Sequence, residues 1–199
     1  MKSLVLFALS VVASAAMATG PVGPSAITIS GSSTQLTTIT DSIVRNKADG
    51  SGSQALQNIA SNAGTITIKG GGSSDQTVLI NKDSLVTNVA MKDAIAQQNL
   101  ASNVGYVTIS GKSKQNVTVD HSTVSNIANS NTIAQQSLST NVGTVTIAAG
   151  GSSTQTVSLL HSGVYNSAEG NSAKAVQNIS SNNSCSTFTC ANAPRNSPQ

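Results

Sequence analysis

Side chains able to do covalent or acid–base chemistry are sparse in this 199-residue chain, which holds two histidines, two cysteines and few carboxylates. His121 and His161 fall at the position of an internal repeat that Asp41 and Asp83 occupy elsewhere. Stacked His and Asp side chains would feel one another's charge, as a small metal site or pH sensor requires. A polar corner that accepts either residue is the plainer reading, and neither a metal nor a cofactor is expected. Ser122 and Ser162 suggest no catalytic triad, because both are generated by the repeat and fall on its inner face. The run "KGGGSS" at 69–74 lacks the Lys-Ser/Thr ending of a phosphate loop. Calcium-binding nonapeptides need repeated Gly-Gly-x-Gly-x-Asp, and Asp is scarce. No enzymatic site is expected. Cys185 and Cys190 form an even pair, which in an exported chain points to an intrachain disulfide, with a thiol role in secretion or cross-linking as the alternative.

The informative chemistry is that of amides. Asn46, Asn88, Asn126 and Asn166 share one repeat position, Gln57, Gln98, Gln136 and Gln177 a second, and Gln35, Gln76, Gln115 and Gln155 a third. Each sits two residues from a small or branched apolar residue on the same face in nearly every copy, which random turn usage would not produce. A buried amide without partners costs on the order of 1–3 kcal/mol. If each repeat is one layer, identical amides stack about 4.8 Å apart and bond those above and below. All three columns are expected to be such ladders.

The elements that must hold these columns follow from the repeat. "VSNIANSNTIAQQSLSTN" at 124–141 recurs as related strings at 44–62, 86–103 and 164–182. Asn62, Asn103, Asn141 and Asn182 mark matching places, with offsets of 41, 38 and 41 residues. A period of this size indicates an architecture in which each unit buries its apolar face against the next. "AITIS" at 26–30, "TITIK" at 65–69, "YVTIS" at 106–110 and "TVTIA" at 144–148 alternate and are rich in β-branched residues. A Gly/Ser turn follows each, then a second alternating run such as "QTVLI" at 76–80, and then two further runs. The second copy collects Ile66, Ile68, Gln76, Val78, Ile80, Val86, Asn88, Ala90, Ala96, Gln98 and Leu100 on one face. "AIAQQNLA" at 94–101 has helical propensity, but period two and its β-branched neighbours place it on a strand. The fold expected is an all-β solenoid of four imperfect repeats over 26–182, each with about four short strands and Gly/Ser/Asn arcs, in one wide layer per repeat. The alternative is two narrow layers per repeat, which would lose the direct amide columns.

Composition narrows the function. Only 2% of residues are aromatic and 9% charged, so the core must be built from Val, Ile and Ala rather than large side chains. The net charge of +3 becomes +2 once Lys2 leaves with a leader, too little to propose nucleic acid as a partner. Residues 1–18 read as a secretory signal peptide, with Lys2, the apolar run "LVLFALSVVASAA" and a cleavage rule met at Ala16-Met17-Ala18 or Ala13-Ser14-Ala15. That run is shorter than the roughly 20 residues of a bilayer span. A secreted product without a membrane span is expected, with a lead-in at 19–25 and a tail at 183–199 carrying the Cys pair.

The leader, the aligned Asn and Gln, the Ala/Gly/Ser richness and the C-terminal Cys pair together resemble the Fap-type bacterial functional amyloid subunits. The amide ladders are also similar to those of curli. The resemblance implies an extracellular biofilm fibre subunit that leaves through a dedicated outer-membrane pore, with chaperone or nucleator subunits as partners besides itself. Uncapped solenoid ends imply the same, since head-to-tail stacking does not close and yields a filament. The alternative is a monomeric adhesin or ice-binding protein, suggested by outward Thr65 and Thr67 and by Thr144 and Thr146, though Tyr106 and Ala26 interrupt that row in the other copies.

Overall fold

The computed structural model describes residues 26–170 and 172–183; the leader, the lead-in and the Cys185/Cys190 pair lie outside the described residues. The first coil contains β1 (Ala26–Ile29), β2 (Ser32–Thr40), β3 (Ile43–Asp49) and β4 (Gln54–Ile59). The second contains β5 (Asn62–Ile68), β6 (Ser73–Asn81), β7 (Leu85–Met91) and β8 (Ile95–Leu100). The third runs through β9 (Asn103–Ile109), β10 (Lys112–Asp120), β11 (Thr123–Asn129) and β12 (Ile133–Leu138). The fourth comprises β13 (Asn141–Ile147), β14 (Ser152–Leu160), β15 (Gly163–Glu169) and β16 (Ala175–Ile179), and β17 (Asn182–Asn183) begins a further turn.

Corresponding strands of successive coils pair in parallel, giving sheets in the orders β1-β5-β9-β13-β17, β2-β6-β10-β14, β3-β7-β11-β15 and β4-β8-β12-β16. The chain is therefore an all-β solenoid with one wide layer per repeat. We refer to these sheets as A to D in chain order. Their registers put like on like, as in Val78 with Val117, Asn88 with Asn126 and Ala96 with Ala134.

Period two explains why strands form: alternate side chains enter the core while their neighbours face out. All eleven residues assigned to the inner face of the second copy are fully buried, and "AIAQQNLA" contributes β8. Three apolar clusters result. Val78, Ile80, Val86 and Leu100 with their equivalents join sheets B, C and D; Ala90 and Ala96 join C and D at close range; Ile66 and Ile68 line sheet A. Small, branched residues suffice because each contacts its own copy above and below as well as the facing sheet.

The sheet A strands begin earlier than the alternating runs suggest, at Asn62, Asn103 and Asn141 rather than at residues 65, 106 and 144. The intervening Gly64, Gly105 and Gly143 have φ of 122°, 128° and 116°, a region closed to most side chains. A Cβ on Gly105 would lie 2.1 Å from the Gly64 carbonyl oxygen. Backbone stacked on backbone thus carries the strand through a kink where the sequence pattern breaks.

The arcs also differ from a Gly/Ser/Asn expectation. Between sheets D and A, the positive-φ residue is Ala60, Ala101, Ser139 or Ser180. Between B and C it is Asp41, His121 or His161, and the second coil inserts one more residue there, so that Lys82 and Asp83 both take positive φ. Left-handed turns of this kind strain a side chain-bearing residue by on the order of 1 kcal/mol, and here the paired strands on both flanks hold the geometry.

Candidate functional site: the stacked amide columns

Sheet C holds the first column. Asn46 Nδ2 donates to Asn88 Oδ1 at 2.8 Å, Asn88 Nδ2 to Asn126 Oδ1 at 2.9 Å, and Asn126 Nδ2 to Asn166 Oδ1 at 2.8 Å. The second hydrogen of each amide reaches a backbone carbonyl of the facing sheet D, as from Asn88 to Gln97 at 3.0 Å and from Asn126 to Gln135 at 3.0 Å. Asn88 and Asn126 are fully buried, so water cannot replace these partners. The column both joins coils and locks sheet C to sheet D.

The second column, on sheet D, runs the other way. Gln98 Nε2 donates to Gln57 Oε1 at 2.7 Å, Gln136 Nε2 to Gln98 Oε1 at 2.8 Å, and Gln177 Nε2 to Gln136 Oε1 at 2.6 Å. Donors point toward the C-terminal coil in the asparagine column and toward the N-terminal coil in the glutamine column. The two polar stacks are antiparallel.

Gln35, Gln76, Gln115 and Gln155 stand in register but do not form the expected ladder. Their Nε2 groups donate sideways, to Asn62, Asn103, Asn141 and Asn182 at 2.9, 3.0, 2.8 and 2.9 Å. Those asparagines are themselves a ladder, with Asn62 to Asn103 at 2.9 Å, Asn103 to Asn141 at 2.8 Å and Asn141 to Asn182 at 2.7 Å. The Asn oxygens attract the glutamine N–H groups and leave Oε1 of Gln35, Gln76 and Gln115 buried without a partner among the described residues. Exchanging O and N would set oxygen against oxygen, so the acceptors fix the orientation. The repeat spacing marked Asn62 and its equivalents as landmarks; their ladder was signalled only by their being Asn in every copy.

A shorter polar column lies at the corner between sheets B and C. Ser84 Oγ accepts from the Ser42 backbone N–H at 3.3 Å, Ser122 Oγ from Ser84 at 3.1 Å and Ser162 Oγ from Ser122 at 3.1 Å. These hydroxyls satisfy arc amides, which accounts for a serine after each Asp or His. On the exposed arc between sheets C and D, the Asp93 carboxylate accepts from Ser51 Oγ at 3.1 Å. Hydrogen bonds from Ser51, the Gly52 backbone and Asn131 hold its pKa below the usual carboxylate value. Among the described residues His121, His161 and Asp120 also come together, on the outside of the B–C corner.

Comparison with family models, curated proteins and solved structures finds no match for this chain.

Proposed function

We propose that this protein is a structural subunit of an extracellular, biofilm-type amyloid fibre, secreted and then polymerised by stacking its first coil on the fourth coil of another copy. The observation that carries the reading is the opposed polarity of the two columns. At the first-coil end, the asparagine column presents Asn46 Oδ1 and the glutamine column presents Gln57 Nε2. At the other end stand Asn166 Nδ2 and Gln177 Oε1. Head-to-tail contact matches donor with acceptor in both columns at once. Head-to-head contact that set each column on its own copy would place oxygen against oxygen in one and N–H against N–H in the other.

Two further features support this reading. Among the described residues every sheet ends on a strand with one neighbour, and parallel register allows the same pairing to continue. Of the large apolar residues exposed among the described residues, all except Tyr106 lie on the first or fourth coil, including Leu36, Ile43, Leu56, Leu159, Leu160 and Tyr165. A stacked copy would cover part of this surface at both ends.

The test is to dilute the mature chain out of denaturant and follow the product by fibre diffraction and electron microscopy. Filaments with a meridional spacing near 4.8 Å are expected. Persistent monomer at high concentration would sink the reading. The column Thr28, Thr67, Thr108 and Thr146, unbroken on sheet A, favours a second reading as an adhesive or ice-ordering surface. Thermal hysteresis from dilute monomer would move the balance to it.

A further inference from the structure

We propose that Asp120, His121 and His161 form a binding site for a divalent first-row transition metal that clamps the third coil to the fourth. One ligand atom from each of these residues lies within 4.8 Å of the other two. The imidazole rings of His121 and His161 are stacked, with centroids 4.7 Å apart and planes inclined by 28°. His121 Nδ1 is 2.7 Å from Asp120 Oδ1. Zinc, copper and nickel take imidazole and carboxylate ligands at about 2.0–2.2 Å, which brings ligand atoms to roughly 3.3 Å from one another. Closing from the observed spacing to that one requires the stacked rings to turn until one nitrogen of each faces the ion.

The backbone is already set for it. His121 and His161 have φ of 43° and 48°, so both side chains leave the corner from the same unusual conformation on consecutive coils. The His121 N–H donates to the Leu160 carbonyl at 2.9 Å, which fixes the spacing of the two turns. The side chains of His121 and Asp120 are 59% and 43% exposed, which leaves them free to rotate. Asp120 can serve as the third ligand or hold His121 in the tautomer whose Nε2 carries the lone pair, the arrangement common around protein-bound zinc. Asp83 lines the open hollow that His121 and His161 also line, with Ser122, Ser162 and Tyr165 around it, and adds a negative charge that favours a cation. The first and second coils carry Asp41 and Lys82-Asp83 at this corner instead, so the imidazole pair occurs at one place in the column.

Chelation would tie together residues forty positions apart in sequence and stabilise the fourth coil, whose strands β14, β15 and β16 have a neighbour on one side only among the described residues. The site does not depend on subunit stacking. The experiment is calorimetric titration of the full mature chain with Zn²⁺, and separately Ni²⁺, beside the variant His121→Asn/His161→Asn. Asn tolerates positive φ, so the variant keeps the corner. One equivalent bound by the parent and absent from the variant is expected. So is a metal-dependent rise in the thermal midpoint of the parent alone, with Asp120→Asn weakening affinity by roughly tenfold or more. Equal binding by parent and double variant would assign the metal elsewhere, for instance to Cys185 and Cys190, and overturn the site. Absence of binding to the parent would overturn it as well.

Discussion

Asn126 shows how one amide serves four partners: Asn88, Asn166 and the Ala96 and Gln135 carbonyls. Truncation to Ala at this buried position leaves them without their hydrogen bonds in a site water does not reach. Asn126→Ala is expected to lower stability by on the order of 3 kcal/mol in urea melts, against about 0.5 kcal/mol or less for Asn129→Ala at the neighbouring polar corner. Equal effects would refute the ladder account. At this scale the sequence was legible where a residue bonds its own equivalent, as in the Asn46 and Gln57 columns. It was not legible for Gln35, Gln76, Gln115 and Gln155, whose partners lie 26 or 27 positions away on another sheet. Column alignment reveals what stacks; it carries no information on which column stands beside which. The pairing of Asp120 with His121 escaped for a different reason, because Asp120 is an outward strand residue that the repeat replaces with Leu160 in the next coil.

Elements in this protein are defined less by propensity than by what the layer below permits. Strand cores such as Thr123–Asn129 could be read from alternation and branched residues. Strand starts could not, since the kinks at Gly64, Gly105 and Gly143 interrupt the pattern that identifies a strand. Gly105→Ala tests this view. A methyl group there meets the Gly64 carbonyl and the backbone sits at a φ of 128°, so a loss on the order of 3 kcal/mol is expected, measured by chemical denaturation. Gly50→Ala, also at positive φ but with open space around it, should lose less. A similar loss at both positions would assign the effect to backbone conformation and not to the close stacking of coils. Arcs at Ala60, Ala101, Ser139 and Ser180 were hidden because nothing in those residue types announces a left-handed turn. Strand pairing on both flanks imposes it.

For the molecule as a whole, the columns continue beyond the last coil in imagination and make the proposed junction specific. Arg45, Thr87, Ser125 and Tyr165 share one outward column, so in a stack Arg45 of the next copy follows Tyr165 directly. A guanidinium on an exposed ring is worth about 0.5–1 kcal/mol. Tyr165→Ser should therefore raise the critical concentration for assembly roughly threefold while leaving the melting of the isolated subunit nearly unchanged. A critical concentration that stays the same would remove this contact from the junction. Coil-by-coil pairing has one more consequence, for kinetics. Paired residues lie 38–42 positions apart, as between Asn88 and Asn126 or Asn46 and Asn88, so the first two coils of a free chain must close such a loop before any column forms. That closure opposes the start of folding by about 3 kcal/mol. In the proposed filament, a coil already in place at the end would offer its edge strands as a template, and an unfolded chain arriving there would begin without closing a loop on itself.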